Sequence, residues 1–344
     1  MTPVDIIILS WDRIDDTIAA VQSALDQEGV DVNVQIVDQG TRQEDLKRLL
    51  DFIAPYENVY IECNTKNNGV TGGRNQASRM GKSDYIIALD NDAVFAETDV
   101  CARAVEVMQS EPTLAAIAFR VDVFDSGTEN PVPDESSWIY GELDCKTYTR
   151  STFPARKFVG AGHMLRRAPF ELVGEYDENL FFMHEELDIC ERLINAGFRI
   201  RHCGDLAVRH KVSAEHRVKW KSGRYQFHMR NEIYLMIKQN QSIRWALTEL
   251  FIMTFGGLRG GFTEGSIKGF FGVLKLMPAA LHERKHNPYT RRTEAAEATL
   301  AEIAAWQEGR RLPPGERDTL SGFKRLIARF RRGVDVARNL SAGA

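Results

Sequence analysis

Apolar and polar positions alternate in blocks through the first hundred residues. Val4 to Leu9 (VDIIIL) is a short apolar run, Ile14 to Leu25 carries apolar residues at helical spacing, and Val32 to Val37 returns to β-forming residues. The pattern continues with a predicted helix over Arg42 to Ile53, a strand over Asn58 to Glu62, a helix over about Thr71 to Met80, and a buried strand over Asp84 to Leu89. Strands separated by helical segments of about 10 to 15 residues predict βαβ units around a mainly parallel sheet. A helix near Thr98 to Gln109 and a strand over Leu114 to Phe124 follow, and then the period is lost from Asp125 to Pro154, where an irregular loop or a small hairpin layer is expected. From about Tyr225 onward the spacing is helical. These changes predict an α/β domain over residues 1–235, with halves of about 1–95 and 96–235, and a helical region over 236–344.

The totals narrow the class. The chain has 344 residues, 27% of them charged and 43% hydrophobic, which fits a globular protein with a sizeable core. A net charge of −4 argues against a nucleic-acid partner. The five cysteines lack metal-type spacing, so reduced thiols in a cytoplasmic protein are expected. The amino terminus lacks the features of a signal peptide, and no uncharged apolar run reaches the roughly 18 residues that a membrane span needs.

Five stretches carry candidate chemistry. In YIIALDNDAVF, Tyr85 to Phe95, an apolar run ends in Asp90, Asn91 and Asp92; this is either turn chemistry or a metal or phosphate site at the carboxyl end of a strand. VDQGT places Asp38 at another strand tip, as a turn residue or as an acceptor for a ribose or base. NNGVTGGRNQA, Asn67 to Ala77, combines three glycines with a helix start and with Arg74 and Asn75, which suits a phosphate or a plain connector. FMHEELDICERLINAGF puts Glu185 and Glu186 in a first helical turn, either as complements to the helix dipole or as a general base. DLAVRHKVS ends a β-like run in His210, ahead of a basic interval containing Lys211, Arg217, Lys219, Lys221, Arg224 and Arg230.

Taken in order, IIILSWDR, VDQGT, NNGVTGGRN, LDNDA, FVGAGHMLRRAPFELVGEYDENLFFMHEELDICERLINAGF and VRH resemble a family 2 glycosyltransferase with the GT-A fold over about residues 3–235. The resemblance implies an α/β, Rossmann-like, mainly parallel sheet flanked by helices, with a helical carboxyl-terminal extension. It implies that Asp90 and Asp92 form the DxD motif that helps bind a nucleotide-sugar diphosphate through Mn²⁺ or Mg²⁺, with His210 completing the metal site. Ser10, Trp11, Arg13 and Asp38 are then expected at the nucleotide, and Asn68, Gly69, Arg74, Asn75 and Asn91 along the donor. The acceptor side is expected at Gly162, His163, Phe181, Phe182 and Trp138. The family's acidic motif is Glu-Asp, whereas this chain has Glu185-Glu186; the base assignment lies between the two, with Glu186 in the usual Asp position and Asp188 matching a further acidic position. The implied reaction is an inverting transfer from a UDP or dTDP sugar to an acceptor hydroxyl, on a lipid-linked or cell-surface glycan precursor or on a soluble natural product. A nucleotidyltransferase and a non-catalytic nucleotide-sugar binder are the rival readings.

The tail adds a partner question. Phe255 to Pro278 is too polar and glycine-rich to read as a span. Leu320, Phe323, Leu326, Ile327, Phe330 and Val334 form a helical stripe among Lys324, Arg325, Arg329, Arg331 and Arg332. Such a basic amphipathic helix serves peripheral contact with the cytosolic membrane face, or packs on the α/β domain or on a second subunit of a homo-oligomer.

Overall fold

The computed structural model describes residues 1–125, 130–211 and 223–311. The helix expected over 320–334, and Arg217, Lys219 and Lys221 of the basic interval, lie outside the described residues. Those described form two compact units. One contains Met1–Phe181, 185–211 and Arg292–Arg311; the other contains Phe182–His184 and 223–291. The units therefore do not follow from one cut in chain order.

In the first unit the expected alternation is present as β1 (Thr2–Ser10), α1 (Ile14–Leu25), β2 (Val30–Asp38), α2 (Gln43–Ile53), β3 (Val59–Cys63), α3 (Gly69–Met80) and β4 (Tyr85–Leu89). These strands are parallel and lie in the order β3-β2-β1-β4. The apolar runs of β1 and β4 are buried throughout their centres, as strands covered on both faces must be. Asp15 and Asp16 sit in the first turn of α1 and complement its dipole.

Beyond β4 the sheet changes direction. β5 (Ala93–Phe95), α4 (Val100–Ser110) and β6 (Leu114–Val123) are followed by the short α5 (Cys145–Tyr148), then β7 (Thr152–Ala155), β8 (Gly162–Arg166), α6 (Arg167–Leu172), α7 (Glu185–Asn195) and β9 (Arg199–His210). β8 is antiparallel to both β4 and β6, whereas β9 runs parallel to β6. The three residues of β5 pair antiparallel with the end of β9 and set Ala93 opposite His210. This pairing joins the acidic turn after β4 to the histidine that ends β9. The segment expected to be irregular folds in part: Asp134 caps a single 3₁₀ turn, Glu135–Ser137, and its backbone N–H bonds to the Val121 carbonyl. α11 (Glu294–Gln307) also belongs to this unit, where Thr293 caps it and donates to the Asn195 carbonyl.

The second unit holds α8 (Arg224–Lys238), α9 (Ile243–Arg259) and α10 (Thr263–His286). α9 and α10 both pack on α8 and on each other. Among the described residues no helix is long and apolar enough to cross a membrane.

Candidate active site

The parallel strands deliver three polar groups to one edge. Ser10 and Asp38 are register partners at the carboxyl ends of β1 and β2, and Asp90 follows β4. Ser10 is fully buried and its hydroxyl has no partner. Asp38 is nearly as buried; Oδ2 accepts from the N–H groups of Gly40 and Thr41, while Oδ1 has no partner. One oxygen of Asp38 therefore makes the turn, as one reading of the sequence expects, and the other is buried without a partner. Trp11 is exposed beside them.

The acidic turn is held by cations. Arg13, in the left-handed region with φ 49°, places Nη1 2.5 Å from Asp92 Oδ2. His210 Nε2 lies 3.2 Å from Asp92 Oδ1. Asn91 points elsewhere and donates to the Thr17 hydroxyl. Burial opposes ionisation of Asp92, but His210 and Arg13 overcome it and hold the carboxyl below its ordinary range. Burial would likewise lower the His210 pKa, yet attraction to Asp134, Asp92 and Asp90 raises it to about 10.

Asp134 was not among the groups expected from the sequence. Its Oδ2 is 3.7 Å from His210 Nδ1, beyond hydrogen-bond reach, so the attraction is ionic. Asp134 is itself fixed by Ser136 and Ser137, which both donate to its carboxylate. Those bonds and His210 hold it well below the usual carboxylate range against the effect of burial. The Asp-x-Ser-Ser pattern marks a cap in the sequence, but nothing local points that cap at a histidine 76 positions away.

The second acidic pair joins the first through one guanidinium. Arg74, reaching from α3, donates Nη2 to Asp90 Oδ1 and Nη1 to Glu186 Oε1, each at 2.9 Å, and also bonds to the Gly160 carbonyl. A Cβ on Gly160 would fall 2.5 Å from Glu186 Oε1 and 2.9 Å from Arg74 Nη2, so a side chain there would displace this ion pair. Glu185 and Glu186 begin α7 but differ in environment. Glu185 is buried with Oε2 unpartnered, and burial first, then the charge of Glu186, raises its pKa to about 8 against the pull of Arg74. Glu186 keeps partial exposure and pairs with Arg74. Asp188 is fully buried in an ion pair with Arg192 one turn on, so it braces the helix.

Several expected site groups sit elsewhere. The start of α3 is not an open anion cradle: the N–H of Gly69 bonds to Asn67 Oδ1, and that of Val70 to the Phe181 carbonyl at 2.6 Å. Gly69 has φ +79°, and a Cβ there would meet the Phe181 carbonyl at 2.4 Å, so it serves this close approach. Asn68 lines a cavity with Gln76, Arg79 and Glu178. Asn75 is buried and its amide is occupied by the Tyr176 backbone and Glu178.

On the expected acceptor side, Gly162 and His163 lie inside the sheet and offer no surface. Gly162 is packed by Val208 and Phe119, and His163 stacks on Phe158 with Nδ1 donating to the Val159 carbonyl and Nε2 accepting from Tyr176. Burial pushes His163 well below its ordinary pKa, which fits that neutral tautomer. Trp138 belongs to an aromatic cluster with Tyr140, Phe153 and His202. Phe181, through its carbonyl, caps α3. Phe182 belongs to the second unit, where its ring meets Phe227 and its carbonyl accepts from Asn231.

Oxygen donors from Asp90 and Asp92 and one imidazole nitrogen from His210 lie within 4.8 Å of one another. Two carboxylates and a histidine suit a hard divalent cation such as Mn²⁺ or Mg²⁺. The orphaned buried atoms Ser10 Oγ, Asp38 Oδ1 and Glu185 Oε2 on the same unit are further signs of a built ligand site.

This sheet order, with a DxD turn at its carboxyl edge, defines a GT-A type α/β protein. The mannosyltransferase PcManGT from Pyrobaculum calidifontis, solved in complex with GDP-Man and Mn²⁺, shares the fold with TM-score 0.55 and 12% identity over 97% of this chain and 86% of that one. Residues 5–174 match the model of glycosyl transferase family 2, so the chain carries a domain of that family. It is 26% identical over 212 residues to the glucosyl-dolichyl phosphate glucuronosyltransferase of Haloferax volcanii, covering 59% of this chain and 66% of that relative. It is 25% identical over 177 residues to the O-antigen chain rhamnosyltransferase WbaN of Salmonella anatum, covering 46% and 51%. The chain thus matches between half and just under two thirds of the length of these relatives.

Proposed function

We propose that this protein transfers a glycosyl group from a nucleoside-diphosphate sugar to an acceptor hydroxyl, with inversion at the anomeric carbon. The observation that carries the reading is the single charged network in which Arg74 joins the DxD turn, itself tied to His210 through Asp92, to the acidic start of α7. In this reading Asp90, Asp92 and His210, the last giving up the proton that the surrounding carboxylates otherwise hold on it, would hold Mn²⁺ or Mg²⁺, which when bound supplies Lewis-acid stabilisation of the departing diphosphate. Asp134 faces the other ring nitrogen of His210 at 3.7 Å, on the side where carboxylates stand beside ligating histidines.

The two glutamates divide the labour. Burial and the neighbouring Glu186 raise the Glu185 pKa to about 8, which disfavours its charged form, while Glu186 is partly exposed and contacts Arg74. Glu186 accepts the proton of the acceptor hydroxyl as that oxygen bonds to the anomeric carbon. The bond from that carbon to the diphosphate oxygen breaks in the same displacement, and its electron pair leaves with the nucleoside diphosphate. Ser10 and Asp38 are assigned to nucleotide hydroxyl or N–H groups, because each keeps a buried oxygen without a partner.

We read the donor as a UDP or dTDP sugar and the acceptor as a lipid-linked or cell-surface glycan precursor. The relatives named for dolichyl phosphate and O-antigen chains support that acceptor class. Calorimetric titration with UDP, dTDP and GDP, each with Mn²⁺, with Mg²⁺ and with chelator, tests the site. Metal-dependent binding of a nucleoside diphosphate is expected, and Asp92→Ala should abolish the metal dependence. Release of pyrophosphate from a nucleoside triphosphate and a sugar phosphate would instead make the protein a nucleotidyltransferase.

A further inference from the structure

In the helical unit, α9 and α10 bury several small residues and leave several large apolar ones exposed. On α9 the buried positions are Ala246, Leu250, Gly256 and Gly257; on α10 they include Gly265, Ser266, Gly269 and Val273. The packing there is close, since a Cβ on Gly257 would lie 2.3 Å from Ser266 Oγ. The bulky residues point to solvent: Phe251, Phe255 and Phe271 are 55%, 56% and 64% exposed, and Leu258, Ile267 and Leu274 are exposed beside them along the two helices. Scattered exposed apolar residues need no explanation, but stripes of them with aromatic rings at helical spacing mark an interaction surface.

Charge selects the partner. Ile267, Phe271 and Leu274 repeat at i, i+4 and i+7, and Lys268 and Lys275 each stand one position on, so they border the same stripe; Lys268 pairs there with the exposed Glu264 at 2.6 Å. Residues 243–286 carry six Lys and Arg against three Glu and no Asp, in a chain whose net charge is −4. A second copy of this chain would set that cationic border against itself, which is unfavourable. One-sided apolar stripes with bordering cations suit helices that lie in the plane of a lipid surface rather than across it, in keeping with the lack of a span among the described residues.

We propose that the outer face of α9 and α10 docks on an anionic lipid surface, with the phenylalanines entering the interface and Lys268 and Lys275 facing the headgroups. The proposal is independent of the transfer reaction and rests on this unit alone.

The test is co-sedimentation of the full chain with vesicles of phosphatidylcholine, with and without phosphatidylglycerol, at low and high salt. Binding is expected to the anionic vesicles and to weaken with salt. Phe251→Asp/Phe271→Asp should lower the bound fraction by about tenfold or more, and Lys268→Glu/Lys275→Glu should remove the preference for phosphatidylglycerol. Both variants change only exposed positions, and unchanged circular dichroism and nucleotide binding would confirm their fold. Undiminished binding by the phenylalanine variant would overturn the proposal and move the contact to another segment, such as residues 320–334. Absence of vesicle binding by the unaltered chain would also overturn it, and self-association abolished by the same variant would assign the face to a second copy.

Discussion

Replacing Glu185 by Gln isolates what burial does to the acidic pair. The side chain is almost fully buried, and its pKa rises from the ordinary value of 4.5 to about 8 through burial and the charge of Glu186. Between those values the folded chain holds a proton that the unfolded chain gives up. The stability linked to that proton is fully present below the unfolded pKa and is lost as pH rises through the folded one. Each pH unit inside the window is worth about 1.4 kcal/mol. Allowing for partial ionisation near the upper end, raising the pH from about 6 to about 8 should remove on the order of 2 kcal/mol from the wild-type protein. Glu185→Gln has no proton to lose and should keep that increment, so it should be relatively more stable at the alkaline end. Urea unfolding at a series of pH values, followed by circular dichroism, reads this as a difference in how the midpoint moves with pH. Parallel pH dependences in the two proteins would show that Glu185 titrates normally in the fold, and the division of roles between the glutamates would fail with it.

Three further outcomes are expected. Glu186→Gln should lower the transfer rate by about 10²- to 10⁴-fold while metal-dependent nucleotide binding in the calorimeter is kept; a full rate would place the base elsewhere. Asp134→Asn should weaken Mn²⁺ binding by about 10- to 100-fold, read from free Mn²⁺ by electron paramagnetic resonance, and an unchanged affinity would reduce Asp134 to a turn residue. Gly69→Ala must adopt φ +79° and crowd the Phe181 carbonyl, so a loss of roughly 1–3 kcal/mol is expected; an unshifted urea midpoint would refute the close-approach account.

Much of the first half of the fold was legible because its signals are local. The Ile14 to Leu25 spacing gives α1 with the same bounds, and the apolar run after Asp84 gives β4. β5 escaped notice because three residues, Ala93 to Phe95, are too few to show a period and become a strand only by pairing with β9. β8 was hidden inside the FVGAGHMLRR motif because its two antiparallel neighbours lie far away in the chain. The two Asp residues of the DxD turn and His210 are legible in the sequence as candidate ligands, and the structure brings one atom of each within 4.8 Å of the others. Asn75 and His163 were polar residues in motif positions whose hydrogen bonds turned out to be spent on Tyr176.

The sequence by itself determined the alternation of strands and helices, the parallel order of the first sheet half and the carboxylates at its edge. Periodicity, turn chemistry and glycine placement act over a few residues and can be read from them. Only the tertiary structure decided that one buried guanidinium serves both acidic pairs, that Asp134 stands behind His210, and that Glu185 rather than Glu186 is pressed into the dry interior. Those outcomes depend on which groups are desolvated together, and desolvation is a property of packing between segments up to 112 positions apart.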